Sequence, residues 1–467
     1  MISLAFGVAA VVAALAVWRW TPTLRRWTPS FGLLVAVLTV VPPHQTVAFG
    51  IGADDALFLL GLVVLLPGAV RRGRLDRVPF GRTLVVGVGL VAAGACVSSF
   101  VNAETVPETV GMLLRGPARV LLYLVMAVVV LAQTPRDLTR YVVGRALAGV
   151  GIFESAFSLV AYVVGFPGGF GLQEASGNTA LVGEIPGRVT GTLDLSPNFL
   201  GALLVLSIPV TCGIALDATS TRHRIGWLAG VVVQGIALVL TYTRSSLAVT
   251  VVACLLLLVL TRRLAGLVDV LRQRRRWALA GGAVAAVGVA ALLVWTPLLD
   301  RVLHDRTDRL ALYTSALRVF ADYPLTGVGP GEQATFTAAD PERYRATSFG
   351  VAGSNAHNTV LLAAAENGVL GLVGALLVNV GLAAVAITVI RRARERAGLA
   401  RAEPLGIGVA VLAFLIQGMA NNLFTVTLTA SALVMLVAGC ALPWLAEDPR
   451  VEEPVTELGP DPLARQM

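Results

Sequence analysis

Long apolar runs recur along the whole sequence and are separated by short polar connections. A run near or above about 18 to 20 residues can cross the hydrocarbon core of a membrane, and we count about thirteen such runs. Each is predicted to be helical, because lipid offers no partners for backbone hydrogen-bonding groups. The sequence therefore predicts an all-α polytopic membrane protein with about 12 to 14 transmembrane helices. The predicted spans are 2–18, 31–50, 56–70, 83–101, 119–133, 141–164, 198–216, 225–241, 246–260, 277–295, 359–390, 405–419 and 427–445.

One large polar insert, residues 298–358, separates the tenth and eleventh predicted spans. The chain is 56% hydrophobic with a mean hydropathy of +0.79. A polar segment of this size is unusual in so apolar a chain and indicates a functional role. Apolar residues recur in it at helical spacing behind Asp308, a residue type that caps helices, and stop before Pro324. This pattern predicts an amphipathic helix over 308–320 that lies on the membrane or packs on the bundle. Its apolar positions are Leu310, Tyr313, Leu317 and Phe320.

The net charge of +8 is concentrated in a few connections. Arginines cluster at 71–82, 262–276 and 391–401, and short loops this basic stay on the cytoplasmic side. The arginines are interpreted as a topological signal that also attracts anionic membrane lipids. Nucleic-acid binding is not expected, because neither an aromatic platform nor a soluble module is present. Alternating the spans between these loops predicts that the outer connections are 102–108, 166–197, 243–245 and the polar insert.

The remaining composition sets the domain organisation. The first apolar run lacks a basic start and a small-residue cleavage site, so it is interpreted as a retained helix. The four cysteines lie singly in different apolar runs without any CxxC, which argues against zinc or a disulfide scaffold.

The C-terminal tail is acidic and contains proline, as in disordered segments. The predicted regions are N-terminal helices 1–165, helices with arginine motifs 166–297, the extracytoplasmic loop 298–358, C-terminal helices 359–446 and a cytoplasmic tail 447–467.

Three arginines lie at the predicted outer face. Arg188 precedes Gly191 and a Pro-Asn helix entry at Asn198, so it belongs either to a helix cap or to a binding site. Arg244 lies in a very short turn, where it either reaches a lipid phosphate or serves as a fixed cation for a lipid-linked phosphate. Arg309 lies in the first turn of the amphipathic helix, where the dipole disfavours a cation by about a few tenths of a kcal/mol. An anion bound at Arg309 would offset that free-energy cost.

A glycine-rich turn follows the amphipathic helix. Residues 324–331 read Pro-Leu-Thr-Gly-Val-Gly-Pro-Gly, and the backbone NH groups around Gly327 and Gly329 are predicted to cradle oxygen anions. The turn is not a Walker loop, because no Gly-Lys-Ser/Thr follows it. It is not a dinucleotide fingerprint either, because no strand precedes it.

The last feature is the pair His357 and Asn358 at the start of an apolar helix. A histidine at such a boundary is either a cap or interface residue or a proton carrier, since imidazole titrates near neutral pH. Glu366 lies about 13 Å further along the helix axis. A carboxylate at that depth is protonated, paired or facing water, so it marks either a polar helix contact or a route to the site.

Taken together, these motifs resemble the signature region of the bacterial O-antigen ligase superfamily. The resemblance rests on Arg309 with Tyr313, on the glycine turn, on His357 with Asn358 and on the Glu-Asn-Gly-Val-Leu-Gly segment at 366–371, in that order. It covers roughly the second half of the chain. Upstream segments that also match are Arg188, Gly191, Pro197, Asn198 and the Thr-Arg-Ser at 243–245.

The resemblance implies a multi-pass, GT-C-like glycosyltransferase of the plasma membrane, with its site on the extracytoplasmic face. Members move a glycan from a polyprenyl-diphosphate carrier to a hydroxyl on a lipid, glycan or protein acceptor, without a metal or another cofactor. By analogy, Arg244 and Arg309 stabilise the leaving diphosphate. His357 accepts or orients the acceptor proton. The expected substrate contacts are Arg188, Asn358, Gly327, Gly329 and Glu366.

Three alternatives accompany this interpretation. A glycan polymerase of the same superfamily would share all these residues, because nothing in the insert identifies the acceptor. A polysaccharide or lipid transporter would more often contain an internal repeat with paired broken helices, and no convincing repeat is present. A peptidoglycan-polymerase or cell-division protein would be expected to use an acidic catalytic residue.

The absence of an acidic metal-binding motif from the predicted outer loops generates a first prediction. Glu104 and Glu108 are separated and have the pattern of ordinary loop residues. A chelator should therefore leave transfer by the purified protein unchanged, because arginines rather than a metal neutralise the diphosphate. Strong inhibition by the chelator, reversed by adding back a divalent cation, would point to a different mechanism.

Overall fold

A computed structural model describes residues 46–48, 51–52, 81–114, 144–166, 171–172, 187–192, 197–262, 309–344, 355–395 and 402–421. Five predicted spans, 2–18, 56–70, 119–133, 277–295 and 427–445, lie outside the described residues, as does the predicted tail. The boundaries of the predicted regions therefore stay predictions.

The described residues are almost entirely helical. Two short strands, β1 (Thr46–Ala48) and β2 (Ile51–Gly52), pair antiparallel. The helices are α1 (Gly81–Asn102), α2 (Val106–Leu113), α3 (Gly144–Val164), α4 (Pro197–Asp217), α5 (Thr221–Leu240), α6 (Arg244–Leu260), α7 (Arg309–Asp322), α8 (Gln333–Ala339), α9 (Pro341–Tyr344), α10 (Thr359–Glu395) and α11 (Ala402–Gly418).

Length and apolar composition confirm the all-α polytopic membrane class. Helices α1, α3, α4, α5 and α10 are each long and apolar enough to cross a membrane, whereas α6 and α11 are shorter apolar helices. Seven predicted spans therefore coincide with helices. The predicted span 31–50 is wrong at its end, because β1 occupies Thr46–Ala48. The β-branched residues Thr46 and Val47, followed closely by Gly50, favour an extended chain that turns back.

Helix α4 is the centre of the bundle. It is the most buried of the spanning helices and contacts α3, α5, α6 and α11. A Cβ on Gly213 would lie 2.4 Å from the carbonyl oxygen of Ala402, and one on Gly406 would lie 2.5 Å from that of Pro209. Glycine thus allows the two backbones to approach closely. The pairing also shows that α4 and α11 run antiparallel.

A second close pair is formed by α1 and α10. A Cβ on Gly94 would lie 2.8 Å from the carbonyl oxygen of Asn367, and one on Gly87 would lie 2.9 Å from the backbone nitrogen of Val378. These helices are therefore also antiparallel. The C-terminal end of α1 lies beside the N-terminal part of α10.

The antiparallel pairings sort the helix ends into two sets. One set, the arginine end, contains the end of α4, the start of α5, the ends of α6 and α10, and the start of α11. Its arginines include Arg222, Arg262 and Arg391. The opposite set, the site end, contains the starts of α4, α6 and α10 and the ends of α1, α5 and α11. Within the described helices, the basic turns that flank these spans thus gather on one side.

Helix α10 is interrupted near its N-terminal end. Gly368 has φ 63° and ψ −155°, a conformation open almost only to glycine. The NH of Val369 does not continue the helix but donates to the carbonyl oxygen of Pro324 at 2.7 Å. The glycine turn is therefore inserted at the break, which explains why the predicted span 359–390 is longer than one crossing requires.

The carbonyl groups at the break obtain new donors. The NH groups of Val328 and Gly329 donate to the carbonyl oxygens of Ala365 and Glu366, at 3.0 and 3.1 Å. The hydroxyl of Ser98 on α1 also donates to Glu366 O, at 2.7 Å. Because an unpaired carbonyl in an apolar surrounding costs free energy, these contacts stabilise the broken helix.

The predicted amphipathic helix is present as α7, but two residues of its predicted apolar stripe, Leu310 and Leu317, do not face the bundle. Leu310 and Leu317 are 72% and 50% exposed. The smaller residues of the opposite face allow α7 to approach α10 closely, so they form the packing surface instead. The buried residues of α7 are Ala311, Leu312, Ser315, Ala316 and Val319.

The break in α10 generates a second prediction. The Gly368→Ala substitution should lower the melting temperature in detergent, because its backbone conformation costs an alanine about 1–3 kcal/mol. Its Cβ would also lie 2.4 Å from the carbonyl oxygen of Leu325. The matched control is Gly89→Ala on α1, where a Cβ meets nothing within 4 Å. An equal melting temperature for the two variants would contradict the described break.

Candidate active site

The C-terminal end of α11 is the point at which separate elements meet. The hydroxyl of Tyr313 on α7 donates to the carbonyl oxygen of Met419 at 2.7 Å, and the Asn358 amide donates to the same oxygen at 3.0 Å. The hydroxyl of Thr359 bonds to the carbonyl oxygens of Gly418 and Asn421, at 3.0 and 3.1 Å. The last carbonyls of a helix have no partner within it, and these side chains satisfy them. The end of α11 thereby joins α7 to the start of α10.

The segment that carries Arg244 is attached to the same helix end. The amide of Gln417 donates to the hydroxyl oxygens of Ser246 and Ser245, at 2.7 and 3.3 Å. The amide of Asn421 lies 3.5 Å from Ser245 Oγ. Since Ser245 directly follows Arg244 at the start of α6, the end of α11 also fixes the backbone that carries Arg244.

Arg309 lies close enough to His357 for its charge to act on the imidazole. Burial lowers the pKa of the His357 imidazole below its ordinary value, and the positive charge of Arg309 lowers it further. Arg309 begins α7 and His357 precedes α10, so the two side chains come from different parts of the loop. The predicted grouping of Arg244, Arg309 and His357 thus corresponds to three segments at the site end of the bundle.

This end combines two arginines, which can bind an anion, with an imidazole whose pKa is lowered. Arg244 begins α6, and α10 begins two residues after His357. Helix N-terminal ends carry partial positive charge that adds to that of the guanidinium groups. No group of three or more metal-ligating side chains occurs in the described part of the chain.

Two positions at the site have an unusual backbone. Tyr242, two residues before Arg244, has φ 50°, and His357 has φ 44°. A non-glycine residue adopts this left-handed conformation only where the surrounding structure holds it. Such residues cluster at functional sites. The strain therefore falls on the segment that carries Arg244 and on the one that carries His357.

The structure gives Arg188 a supporting position. Its buried guanidinium donates through Nε to the carbonyl oxygen of Thr241 at 2.8 Å. Through Nη2 it reaches Thr243 Oγ1 and Asn198 Oδ1, at 3.2 and 3.3 Å. These bonds tie the turn before Arg244 to the start of α4. Arg188 thus supports the turn that presents Arg244, and its predicted substrate contact stays a prediction.

The predicted anion cradle in the glycine turn is wrong for its two named glycines. The NH of Gly327 donates to the carbonyl oxygen of Tyr323 at 2.9 Å, and the NH of Gly329 donates to that of Glu366. Both glycines have positive φ, at 65° and 111°, and a Cβ on Gly327 would collide with the Glu366 backbone. These glycines serve close packing against the break in α10.

This loop binds the side chain of Glu366 instead. This side chain is buried and accepts hydrogen bonds from the backbone NH groups of Gly331 and Gln333. The structure therefore gives Glu366 internal partners in the polar insert, and its predicted substrate contact stays a prediction.

Asn358 is likewise committed to the fold. Its Oδ1 accepts from the NH groups of Val360 and Leu361, both at 3.0 Å, in the manner of a helix N-cap. Its amide nitrogen binds Met419, as described above. The structure thus gives Asn358 a capping role, and its predicted substrate contact stays a prediction.

Sequence reasoning missed two kinds of residue. Glu154, buried on α3, accepts from the Thr192 NH at 2.8 Å and from its hydroxyl at 2.6 Å, and so holds the loop that carries Arg188. A lone carboxylate in an apolar run was the available signal. Gln417 and Asn421, which join three segments, were indicated only by being polar residues at the end of an apolar run.

The effect of the Arg309 charge on His357 generates a third prediction. The Arg309→Ala substitution should raise the pKa of His357, because removal of a nearby positive charge makes protonation of the imidazole easier. The titration can be followed by NMR on histidine-labelled protein in detergent. Arg318→Ala, an exposed arginine of the same helix, is the control and should leave the titration unchanged. An unchanged His357 titration in Arg309→Ala would place the two side chains apart.

Comparison with known proteins gives an independent result. Residues 229–376 match the family model Wzy_C, described as O-Antigen ligase. No curated protein matches the sequence significantly. The matched region contains Arg244, Arg309, His357 and Glu366, and it leaves out Arg188. Residues 229–376 therefore match the O-antigen ligase family model, and this match confirms the predicted resemblance of that region to the O-antigen ligase/polymerase superfamily.

Proposed function

We propose that this protein transfers a glycan from a polyprenyl-diphosphate carrier to an acceptor hydroxyl at the outer face of the plasma membrane. The O-antigen ligase domain marks a membrane glycosyltransferase in the broad sense. One observation supports the finer proposal: the end of α11 gathers the segments of Arg244, Arg309 and His357.

The arginines serve the donor half of the reaction. As the acceptor oxygen bonds to the anomeric carbon, the bond from that carbon to the diphosphate breaks, and its electron pair moves to a phosphate oxygen. Arg244 and Arg309 neutralise this developing charge, and the N-terminal end of α6, which begins at Arg244, adds to the effect. Guanidinium groups suit this task because they remain charged and match phosphate geometry.

His357 serves the acceptor half. Its lowered pKa leaves the imidazole neutral near pH 7, where an ordinary histidine with a pKa of about 6.5 is already partly protonated. A neutral imidazole can accept the proton of the acceptor hydroxyl as the new bond forms. Activity should therefore persist to a lower pH than an ordinary histidine allows, and fall as the pH drops through the lowered pKa.

The charge distribution supports an outer location. Basic connections between transmembrane helices remain in the cytoplasm, and the described basic turns lie at the arginine end. The site end would then face outward, where a polyprenyl-linked glycan is presented. A polymerase would use the same donor chemistry and would differ only in taking a growing glycan as its acceptor.

Three substitutions test the proposal in reconstituted transfer. His357→Ala should lower kcat by about 10²–10⁴-fold, the usual contribution of general base catalysis. Arg244→Ala and Arg309→Ala should each cost about 10²–10³-fold, as expected for the loss of a group that stabilises developing charge. Arg318→Ala is the matched control on α7 and should retain activity. Full activity in all three site variants would reject the assignment.

A deletion strain separates transfer from transport. Loss of a transferase leaves the lipid-linked glycan on the outer leaflet, whereas loss of a transporter leaves it on the inner leaflet. We expect accumulation on the outer leaflet, and the structure of the accumulated glycan identifies the donor. Accumulation on the inner leaflet would favour the transporter alternative.

A further inference from the structure

A chain of buried contacts runs from Glu366 to the residue before His357. The Glu366 carboxylate accepts from the NH of Gln333, the first residue of α8. The Gln333 side chain, which is 0% exposed, then accepts through Oε1 from the NH of Ala356 at 2.8 Å. Two internal hydrogen bonds thus connect the break in α10 with the backbone that carries His357.

His357 is held in its left-handed conformation by its neighbours. Ala356 is fixed on one side by Gln333, and Asn358 is fixed on the other by its capping bonds and by Met419. The NH of His357 itself donates to Asn355 Oδ1 at 3.3 Å. Because an unfavourable φ persists only under such constraint, the contact from Gln333 bears directly on where the imidazole points.

The surroundings of Gln333 argue against a role in packing alone. Ala356, which it contacts, belongs to a buried apolar cluster with Val319, Val328 and Leu362. A polar side chain buried in such a place is costly unless it makes a specific hydrogen bond. An apolar side chain of the same length would fill the space without that cost.

We propose that Gln333 is a positioning residue that holds His357 in place for catalysis, and that Glu366 in turn holds Gln333. This inference rests on the proposed role of His357 as the group that accepts the acceptor proton. Gln333 touches neither donor nor acceptor. It acts through the backbone of Ala356, which sets the direction of the imidazole.

The test compares two isosteric substitutions on α8. Gln333→Met keeps the length of the side chain and removes the acceptor oxygen for the Ala356 NH. Thr337→Val, at a buried position one turn later, removes a hydroxyl whose bond to Ala334 O stays within α8. Since a displacement of about 1 Å can cost about 100-fold in rate, Gln333→Met should lower kcat about 10- to 100-fold. The KM for the lipid-linked donor should stay within about twofold, and Thr337→Val should behave like the parent.

A second readout does not depend on turnover. The chain has four histidines, so NMR of histidine-labelled protein resolves few signals, and His357→Gln identifies the one from His357. Gln333→Met should shift this titration toward that of an ordinary histidine, because a displaced ring is more hydrated and further from Arg309. The charged group that acts on His357 in the structure is Arg309, which is unchanged in the variant. The end of α11 contributes only neutral amides.

The outcomes separate this inference from the proposed function. If His357→Ala is inactive while Gln333→Met retains its kcat and the parent titration, the positioning role is rejected and the function stands. If His357→Ala remains active, the function is rejected, and the titration alone decides whether Gln333 positions the ring. Should Gln333→Met fail to fold, Gln333→Asn shortens the reach by one methylene and keeps the amide. That variant should show the same loss of kcat, and an unchanged kcat would overturn the proposal.

Discussion

Backbone carbonyls that are released where a helix breaks or ends in a membrane protein must find donors within the protein, and the site depends on this requirement. At the break in α10, the glycine turn supplies NH groups to Ala365 and Glu366. At the end of α11, Tyr313, Asn358 and Thr359 supply side-chain donors. Each satisfied carbonyl ties a segment of the polar insert, or the start of a helix, to the bundle.

This requirement divides the polar residues into two groups. Most of them, including Arg188, Asn358 and Glu366, are committed to hydrogen bonds within the protein and support the site from behind. Arg244, Arg309 and His357 lie on the segments that this support fixes, and they are the groups to which we assign the chemistry. Each motif thus contains both residues that support the site and neighbouring residues to which we assign the reaction. This is why every residue of a motif resembles a functional residue in the sequence.

Hydropathy predicted every spanning helix that the structure describes, because the length of an apolar run and the lack of partners in lipid leave only a helix. The grouping of His357 with Arg309 also followed from the motif pattern. The sequence did not predict which hydrogen-bond partner each backbone NH group has. The NH groups of Gly327 and Gly329 were expected to bind a ligand, yet they bind carbonyls of a helix break that depends on Gly368.

The sequence by itself determined the membrane class, the basic turns and the residue types at the site, since these follow from local composition and charge. Only the tertiary structure decided which donor meets which acceptor. That choice depends on contacts between residues far apart in the chain, such as Ser245 with Gln417 or Gln333 with Ala356. The tertiary structure also decided which face of α7 packs against the bundle, because helices approach each other more closely where their side chains are small.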